Sequence, residues 1–411
     1  MATLRHADSG PDTSSAPPPR IISGPLAAVF VIAFGTLTSF YLLLSVTPRY
    51  AAQAGAGTTG AGLVTGALLA GTVVAELGAA TLMKRYRYRT LLAAAAALLG
   101  VPVLALLVTH GLPVVVVASI VRGFGFGLTM VVADAATAEL LPPERRGEGL
   151  GIYGVVDLLP AVLALPGGVW LADHVGNTLV VALTAATALM PVAALRWLPR
   201  TAGRREAGTA HIDADPAPTV GLLAGLRRYG QLRPSLVFVA STVAAGVVVT
   251  FLPLAAGVGA STVAIGLLVQ AVTATIGRWW AGRYGDRHGH ARLLVPGLAG
   301  ASLGMLAMIW LTSPAMVIAA MCVFGAAFGI SQNATFALMI DRIPASGLGT
   351  SSALWNLAYD AGYGAGPAGF GLVVGHTGYS AAFALTGVLM LAALPAAWRE
   401  RADLSPGNRA D

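Results

Sequence analysis

The most informative stretch of the sequence is Gly282-Arg-Tyr-Gly-Asp-Arg-His-Gly-His-Ala-Arg-Leu-Leu294, a charged turn between two long apolar segments. Glycines in such a turn supply positive φ angles and close backbone approach, so two helices can reverse direction within a few residues. Asp286 can then meet a helix N-terminus or an arginine in one conformation and release it in another. The stretch indicates helices that reverse at a membrane surface, although a turn that merely anchors that surface would look the same.

The composition places the chain in a lipid bilayer. Hydrophobic residues make up 56% of the 411 residues and charged residues 10%, whereas soluble domains carry about 25% charged residues. The net charge of +7 is also typical of nucleic-acid-binding proteins, but the basic residues cluster in loops beside apolar segments. Cytoplasmic loops of membrane proteins have this pattern, so we expect no nucleic-acid partner. The single cysteine, Cys322, excludes an internal disulfide, and we expect no cofactor and no metal site.

Apolar segments of bilayer length predict twelve transmembrane helices. A span needs about 20 apolar residues, and such segments lie near residues 25–47, 59–82, 90–109, 112–140, 149–171, 177–197, 234–256, 261–282, 292–312, 315–340, 348–373 and 379–398. Basic residues concentrate in the loops that follow even-numbered helices and in the central segment. By the positive-inside rule both termini are predicted to be cytoplasmic, in a multi-pass protein of the cell membrane.

The hydrophobic pattern divides the chain into five parts. Polar tails at residues 1–24 and 399–411 flank two six-helix bundles at residues 25–198 and 234–398, and a linker at residues 199–233 joins the bundles. In the linker, residues 222–228 place leucines beside arginines. They form either a short amphipathic helix on the inner membrane surface or part of an unstructured basic segment.

The two bundles repeat one another, and their shared motif resembles a known family. Arg89-Thr-Leu-Leu92 in the first half aligns with Ala291-Arg-Leu-Leu294 in the second, while Lys84 occupies the position that corresponds to Asp286, and Glu76 lies one repeat away from Arg278. The second copy resembles the cytoplasmic loop signature of the major facilitator superfamily (MFS) through Gly282, Asp286, Arg287, Gly289, Arg292 and Leu294. The resemblance implies an all-α membrane fold of two pseudo-symmetric six-helix bundles with a cavity between them at mid-bilayer.

Two charged residues fall near the middle of predicted spans. Charge in hydrocarbon costs at least about 2.5 to 3.5 kcal/mol per residue, so Arg122 and Asp157 need a partner or a cavity. Arg122-Gly-Phe-Gly-Phe-Gly127 resembles the fourth-helix signature of proton-coupled facilitators, which implies that Arg122 influences proton transfer. The alternative is an ion pair between Arg122 and Asp157 that only holds two helices together.

The eleventh helix carries a polar stripe. Ser352, Asn356, Asp360 and Gly364 recur every four residues and share one helix face, which we expect to line the cavity. Burial disfavours the charged form of a carboxyl group, so Asp360 can bind a proton in one access state and release it in the other. Gln270 on the eighth helix adds a neutral polar group.

Three further features are open to a structural explanation. Glu76 and Asp134 lie near the inner ends of their helices, where pairing with loop arginines is the alternative to a direct role in transport. The run from Gly362 through Gly366 and Pro367 resembles the glycine-proline signature of the antiporter branch, which that branch carries on its fifth helix. Close helix packing alone also explains such a run.

These patterns predict a secondary transporter rather than an enzyme. The sequence has no H-E-x-x-H motif and no phosphate-binding P-loop, so the energy must come from a gradient. We expect a monomer that exports a small organic molecule, a drug or a metabolite, in exchange for protons. The alternatives are a proton symporter or uniporter for uptake, and a membrane-embedded sensor on the same scaffold.

Overall fold

The computed structural model describes residues 22–109, 111–142, 145–199, 230–255, 257–343 and 348–403. Within these ranges the chain forms twelve long helices and no strand: α1 Gly24–Leu44, α2 Gly57–Arg85, α3 Tyr88–Gly100, α4 Leu112–Leu140, α5 Arg146–His174, α6 Asn177–Leu189, α7 Leu232–Phe251, α8 Ala260–His288, α9 Leu294–Ala307, α10 Pro314–Asp341, α11 Leu348–Thr377 and α12 Tyr379–Met390. The proposed amphipathic helix at residues 222–228, most of the linker and most of both tails lie outside the described residues.

The helices are long and apolar enough to cross a bilayer. Ten helical stretches in the described part of the chain meet that requirement, and the first of them, Gly24–Arg85, contains both α1 and α2. α11 is not among the ten, and it is the helix that carries the polar stripe. The twelve-helix prediction from the sequence is confirmed.

Glycines with positive φ lie at equivalent turns in the two halves. Gly176 precedes α6 with φ 110°, and Gly378 precedes α12 with φ 76°. Gly289 ends α8 with φ 89°, and its N–H donates to the Gly285 carbonyl at 2.7 Å. The glycines of these turns therefore supply the backbone freedom that the sequence pattern predicts.

Replacing Gly289 with alanine is expected to destabilise the protein by about 1 to 2 kcal/mol, because a Cβ atom is strained at positive φ. The thermal midpoint of the purified protein in detergent measures the loss. Gly78→Ala is the matched control: Gly78 is helical in α2, and nothing lies within 4 Å of an added Cβ. An alanine there should stabilise the helix by up to about 1 kcal/mol. Equal midpoints for the two variants would contradict the assignment of strain at Gly289.

The two halves, α1 to α6 and α7 to α12, are packed together at one end of the bundle. We call the end where α1 begins and α12 ends the terminal face, and the other end the opposite face. At the opposite face the Arg49 guanidinium, after α1, donates to the Pro253 carbonyl, after α7, at 3.2 Å. Deeper in, the hydroxyls of Thr250 on α7 and Thr65 on α2 are joined at 3.1 Å. These contacts close the seam between the halves at the opposite face.

α2 and α11 form the tightest part of this seam because glycines let their backbones touch. A Cβ added to Gly62 would lie 2.1 Å from the Pro367 carbonyl oxygen, and one added to Gly371 would lie 2.6 Å from the Thr58 carbonyl oxygen. The Thr58 hydroxyl also donates to the Gly371 carbonyl at 3.2 Å. Small residues allow this approach, as in other membrane helix pairs.

Candidate functional site

Two carboxyl groups from different halves meet near the middle of the bundle. Glu76 on α2 and Asp360 on α11 lie about 14 Å and 18 Å from the terminal-face ends of their helices, at 1.5 Å per residue. Their side chains share a hydrogen bond, and Asp360 is only 5% exposed. Two ionised carboxylates are both acceptors and repel each other, so a hydrogen bond between them requires one bound proton. The pair therefore joins the two halves by a hydrogen bond that only a protonated carboxyl group can donate.

Two further carboxyl groups lie in the first half beside this pair. Asp157 on α5 and Asp134 on α4 are within electrostatic reach of each other, and Asp134 is also within reach of Glu76. Asp134 interacts with the Tyr153 side chain on α5, whose hydroxyl has no well-formed hydrogen bond among the described residues. Asp134 is exposed although it belongs to a membrane-spanning helix. The packing of α4 against α5 therefore leaves Asp134 uncovered.

One guanidinium faces these acids from the second half. Arg278 on α8 forms a hydrogen bond to the side-chain oxygen of Gln332 on α10, and it lies within electrostatic reach of Asp157. Arg278 is exposed, as Asp134 is. Asp157 is thus within electrostatic reach of both Arg278 and Asp134.

Aromatic rings line the same region along α11. Tyr359 and Tyr363 stack with their centroids 5.5 Å apart, and Trp355 stacks on Phe238 of α7 at 4.5 Å. Tyr41 on α1 adds a hydroxyl within electrostatic reach of Asp157 and Asp360. The tyrosine rings and the carboxyl groups thus lie in the same region of the bundle.

Arg122 does not form the ion pair that the sequence offered as an alternative. Its side chain is 1% exposed and donates from Nη2 to the Ser39 carbonyl of α1 at 3.1 Å. Its Nε and Nη1 atoms, like the Ser39 hydroxyl, have no hydrogen-bond partner among the described residues. Asp157 is attracted to Arg278 instead. The alternative of an ion pair with Asp157 is wrong, because Arg122 points at α1.

The alternative for Glu76 and Asp134, pairing with loop arginines, is not found among the described residues. Glu76 points across the seam to Asp360, and Asp134 points across the gap to Tyr153. Both side chains turn toward the centre of the bundle rather than toward the loops at its end. The structure therefore brings Glu76, Asp134, Asp157 and Asp360 into one cluster and leaves Arg122 outside it.

All but one of the remaining predicted residues of α8 and α11 lie in packing positions. Gln270 is buried where α8 and α10 nearly touch, since a Cβ added to Gly325 would lie 2.4 Å from its carbonyl oxygen. A Cβ added to Gly366 would lie 2.3 Å from the Val243 carbonyl oxygen of α7. Gly362 likewise meets α7, and Pro367 meets Gly62 of α2. Asn356 is exposed on the stripe that leads from the terminal face to Asp360.

The turn after α8 does not hold the contact that we expected of Asp286. Its side chain is 76% exposed, and the charged group next to it in the described chain is His290, at 3.8 Å between Nε2 and Oδ1. His290 in turn lies 4.0 Å from Asp341 at the end of α10. Among the described residues Asp286 thus meets neither an arginine nor a helix N-terminus, because it points to solvent at the end of α8. Arg287 and Arg292 are exposed as well.

The sequence did not identify Arg278 as a site residue, although a signal was present. Arg278 occupies the position in the second half that Glu76 occupies in the first. In a bundle of two related halves, such positions lie at the same depth on either side of the central space. A charge exchanged between repeats therefore indicates a residue that faces the cavity.

Comparison with known proteins gives a family and a fold. Residues 29–367 match the family described as the Major Facilitator Superfamily, while no curated protein matches the sequence. The structure is similar to that of the nucleoside transporter NupG, with a TM-score of 0.71, 12% identity, and coverage of 92% of this chain and 100% of that one. It is also similar to a bacterial homologue of the human lysosomal transporter Spinster in an inward-facing, occupied conformation, with a TM-score of 0.74, 15% identity, and coverage of 92% of this chain and 96% of that one. The peptide transporter POT is similar as well, with a TM-score of 0.74, 16% identity, and coverage of 92% of this chain and 93% of that one. At these identities the likeness concerns the fold alone.

Proposed function

Because the chain belongs to the major facilitator superfamily and is a membrane transporter, we propose that it exports a small organic molecule across the cell membrane in exchange for protons. The observation that supports this proposal is the side-chain hydrogen bond between the carboxyl groups of Glu76 and Asp360, which lie in different halves. Ionisable groups inside a membrane bundle cost free energy, so where they occur they mark proton or substrate pathways.

The pair links protonation to the relative position of the halves. With one proton, the hydrogen bond draws α2 and α11 together. When that proton leaves, two negative charges face each other and favour separation of the same helices. Binding of a proton from one side of the membrane therefore favours the arrangement in which α2 and α11 are together. Release of the proton to the other side favours the arrangement in which they are apart.

The neighbouring acids support exchange rather than co-transport. Asp134 and Asp157 lie within electrostatic reach of each other, and Asp134 within reach of Glu76, so a substrate seated among them changes the proton affinity of the pair. A group that favours ionised carboxyls expels the proton, and the proton in turn expels the substrate. If the termini are cytoplasmic, as the basic loops predict, the terminal face loads substrate from the cytoplasm.

Everted membrane vesicles test the proposal. Respiration acidifies their interior, and a pH-sensitive dye reports the gradient while a panel of toxic compounds and metabolites is added one at a time. We expect at least one compound to dissipate the gradient only in vesicles that contain the protein. Asp341→Asn, at the exposed end of α10, should behave like the wild type.

Two outcomes would contradict proton exchange. Substrate that moves at an unchanged rate after the gradient is collapsed would indicate a uniporter. A gradient that drives substrate out of everted vesicles, in the same direction as the protons, would indicate a symporter for uptake.

A further inference from the structure

The outward face of α8 changes character toward the terminal face. Ile276 is apolar and exposed, and Trp279 and Trp280 follow it at 58% and 45% exposure. Arg283 and Arg287 continue the same side of the helix and are exposed as well, because steps of three and four residues keep side chains on one helix face. One surface of α8 therefore passes from apolar to aromatic to basic.

This change falls at the depth where the bilayer ends. α8 begins at Ala260 and is 29 residues long, and Trp280 lies about 30 Å from its first residue at 1.5 Å per residue. The hydrocarbon core of a bilayer is also about 30 Å thick. Tryptophan prefers the boundary between the hydrocarbon and the headgroups. Arg283 and Arg287, which lie further along α8, are therefore at the level of the lipid phosphates.

The charges of these two arginines are not neutralised by the described part of the chain. The Arg283 guanidinium lies 4.1 Å from the centroid of the Trp279 ring, and neither Arg283 nor Arg287 forms a salt bridge within the described ranges. Asp286, which lies between them in the sequence, is next to His290. Two guanidinium groups one turn apart offer paired N–H donors, and these match the oxygens of a phosphate group.

The corresponding face of α2 in the first half has a different composition. In the alignment of the two halves, Leu77 and Thr81 occupy the positions of Trp279 and Arg283. Leu77 and Thr81 are exposed too, so both halves turn this face outward. The repeat accounts for the exposure of the surface but not for its aromatic and basic residues, which indicates a ligand that α8 binds and α2 does not.

We propose that this end of α8 binds an anionic phospholipid from the leaflet at the terminal face. Arg283 and Arg287 hold the phosphate, and Trp279 and Trp280 pack against the glycerol and the upper part of the acyl chains. A zwitterionic lipid presents the same phosphate together with a cationic group, which two adjacent arginines repel. The site therefore prefers lipids of net negative charge, and it is independent of the proton exchange proposed above.

Two lipids with identical acyl chains test this preference. Dioleoylphosphatidylglycerol and dioleoylphosphatidylcholine are added separately, at equal concentrations, to the purified full-length protein in detergent, and native mass spectrometry measures the first bound lipid molecule. We expect phosphatidylglycerol to bind at least about ten-fold more tightly, because two arginines near the headgroup attract its net charge. Equal binding of the two lipids would overturn the inference, whatever the vesicles show about proton exchange.

Variants locate the site on α8. Arg283→Gln combined with Arg287→Gln should weaken binding of phosphatidylglycerol by at least about ten-fold and leave that of phosphatidylcholine unchanged. Arg85→Gln removes the exposed arginine of α2 that corresponds to Arg287 and should leave both affinities unchanged. An undiminished preference in the double variant, or an equal loss in Arg85→Gln, would overturn the assigned position. The comparison of the two lipids on the wild type decides the charge preference even if a variant fails to fold.

Discussion

Asp360→Asn is expected to lower proton-driven transport by about 100-fold while leaving the protein folded. In the proposed mechanism its carboxyl group shares one proton with Glu76, to which it is hydrogen-bonded across the seam, and the amide that replaces it does not titrate. Glu76 then loses the partner with which it holds that proton. The reaction cycle cannot release a proton to the second side of the membrane, so substrate and gradient become uncoupled.

The size of the loss follows from the cost of charge in the bundle. Placing a charged carboxylate at the centre of a membrane helix costs about 2.5 to 3.5 kcal/mol on the insertion scale, and we expect release of the proton from Glu76 without the Asp360 carboxyl group to cost a similar amount. Since 1.4 kcal/mol corresponds to a factor of about ten, the population of the state with the proton released falls by about 100-fold. The initial rate of gradient dissipation by an identified substrate, measured in everted vesicles, reports this fall.

A double substitution separates a shared proton site from two independent sites. If Glu76 and Asp360 act as one unit, Glu76→Gln should cost about as much as Asp360→Asn, and the double variant should be no worse than either. Independent sites would give losses that multiply. A wild-type rate of gradient dissipation in Glu76→Gln would contradict the shared-proton mechanism. Asp341→Asn is the matched control for removal of a carboxylate.

The fold was largely accessible from the sequence because a bilayer allows few arrangements. A span must be about 20 apolar residues long and must satisfy its own backbone hydrogen bonds, so hydropathy alone predicts where helices lie. The turn that ends α8 at Gly289 and the equivalent glycines before α6 and α12 required only the preference of glycine for positive φ. These features depend on local chemistry, and local chemistry is what a sequence displays.

The site was only partly accessible, because it depends on which way side chains point across helices. Depth along a helix placed Asp157 and Asp360 near the middle of the bundle, but it did not reveal that Glu76 turns toward α11 or that Arg122 turns toward α1. A rotation of one helix by half a turn exchanges a cavity partner for a packing partner. That rotation is set by contacts such as Gly62 against Pro367, which join residues far apart in the chain.

Gly62→Val is expected to open the seam at the opposite face and to shift the protein toward the reverse conformation. A Cβ at this position would lie 2.1 Å from the Pro367 carbonyl oxygen, which is backbone and cannot rotate away. α2 and α11 must therefore separate there. Overpacking of a close contact costs about 1 to 3 kcal/mol, and each 1.4 kcal/mol shifts a two-state equilibrium by about ten-fold.

A reporter cysteine at Thr250 measures this opening. Thr250 is fully buried in the closed seam, where its hydroxyl meets Thr65, and the native cysteine, Cys322, is first replaced by serine. A membrane-impermeant thiol reagent added from the opposite face should label Thr250→Cys at least about ten-fold faster when Gly62→Val is present. Gly78→Val on the same helix is the control, because nothing lies within 4 Å of its added Cβ. Labelling of Thr250→Cys at equal rates in both backgrounds would show that the contact between α2 and α11 does not hold the seam, since a seam held by these two backbones must yield to a side chain placed between them.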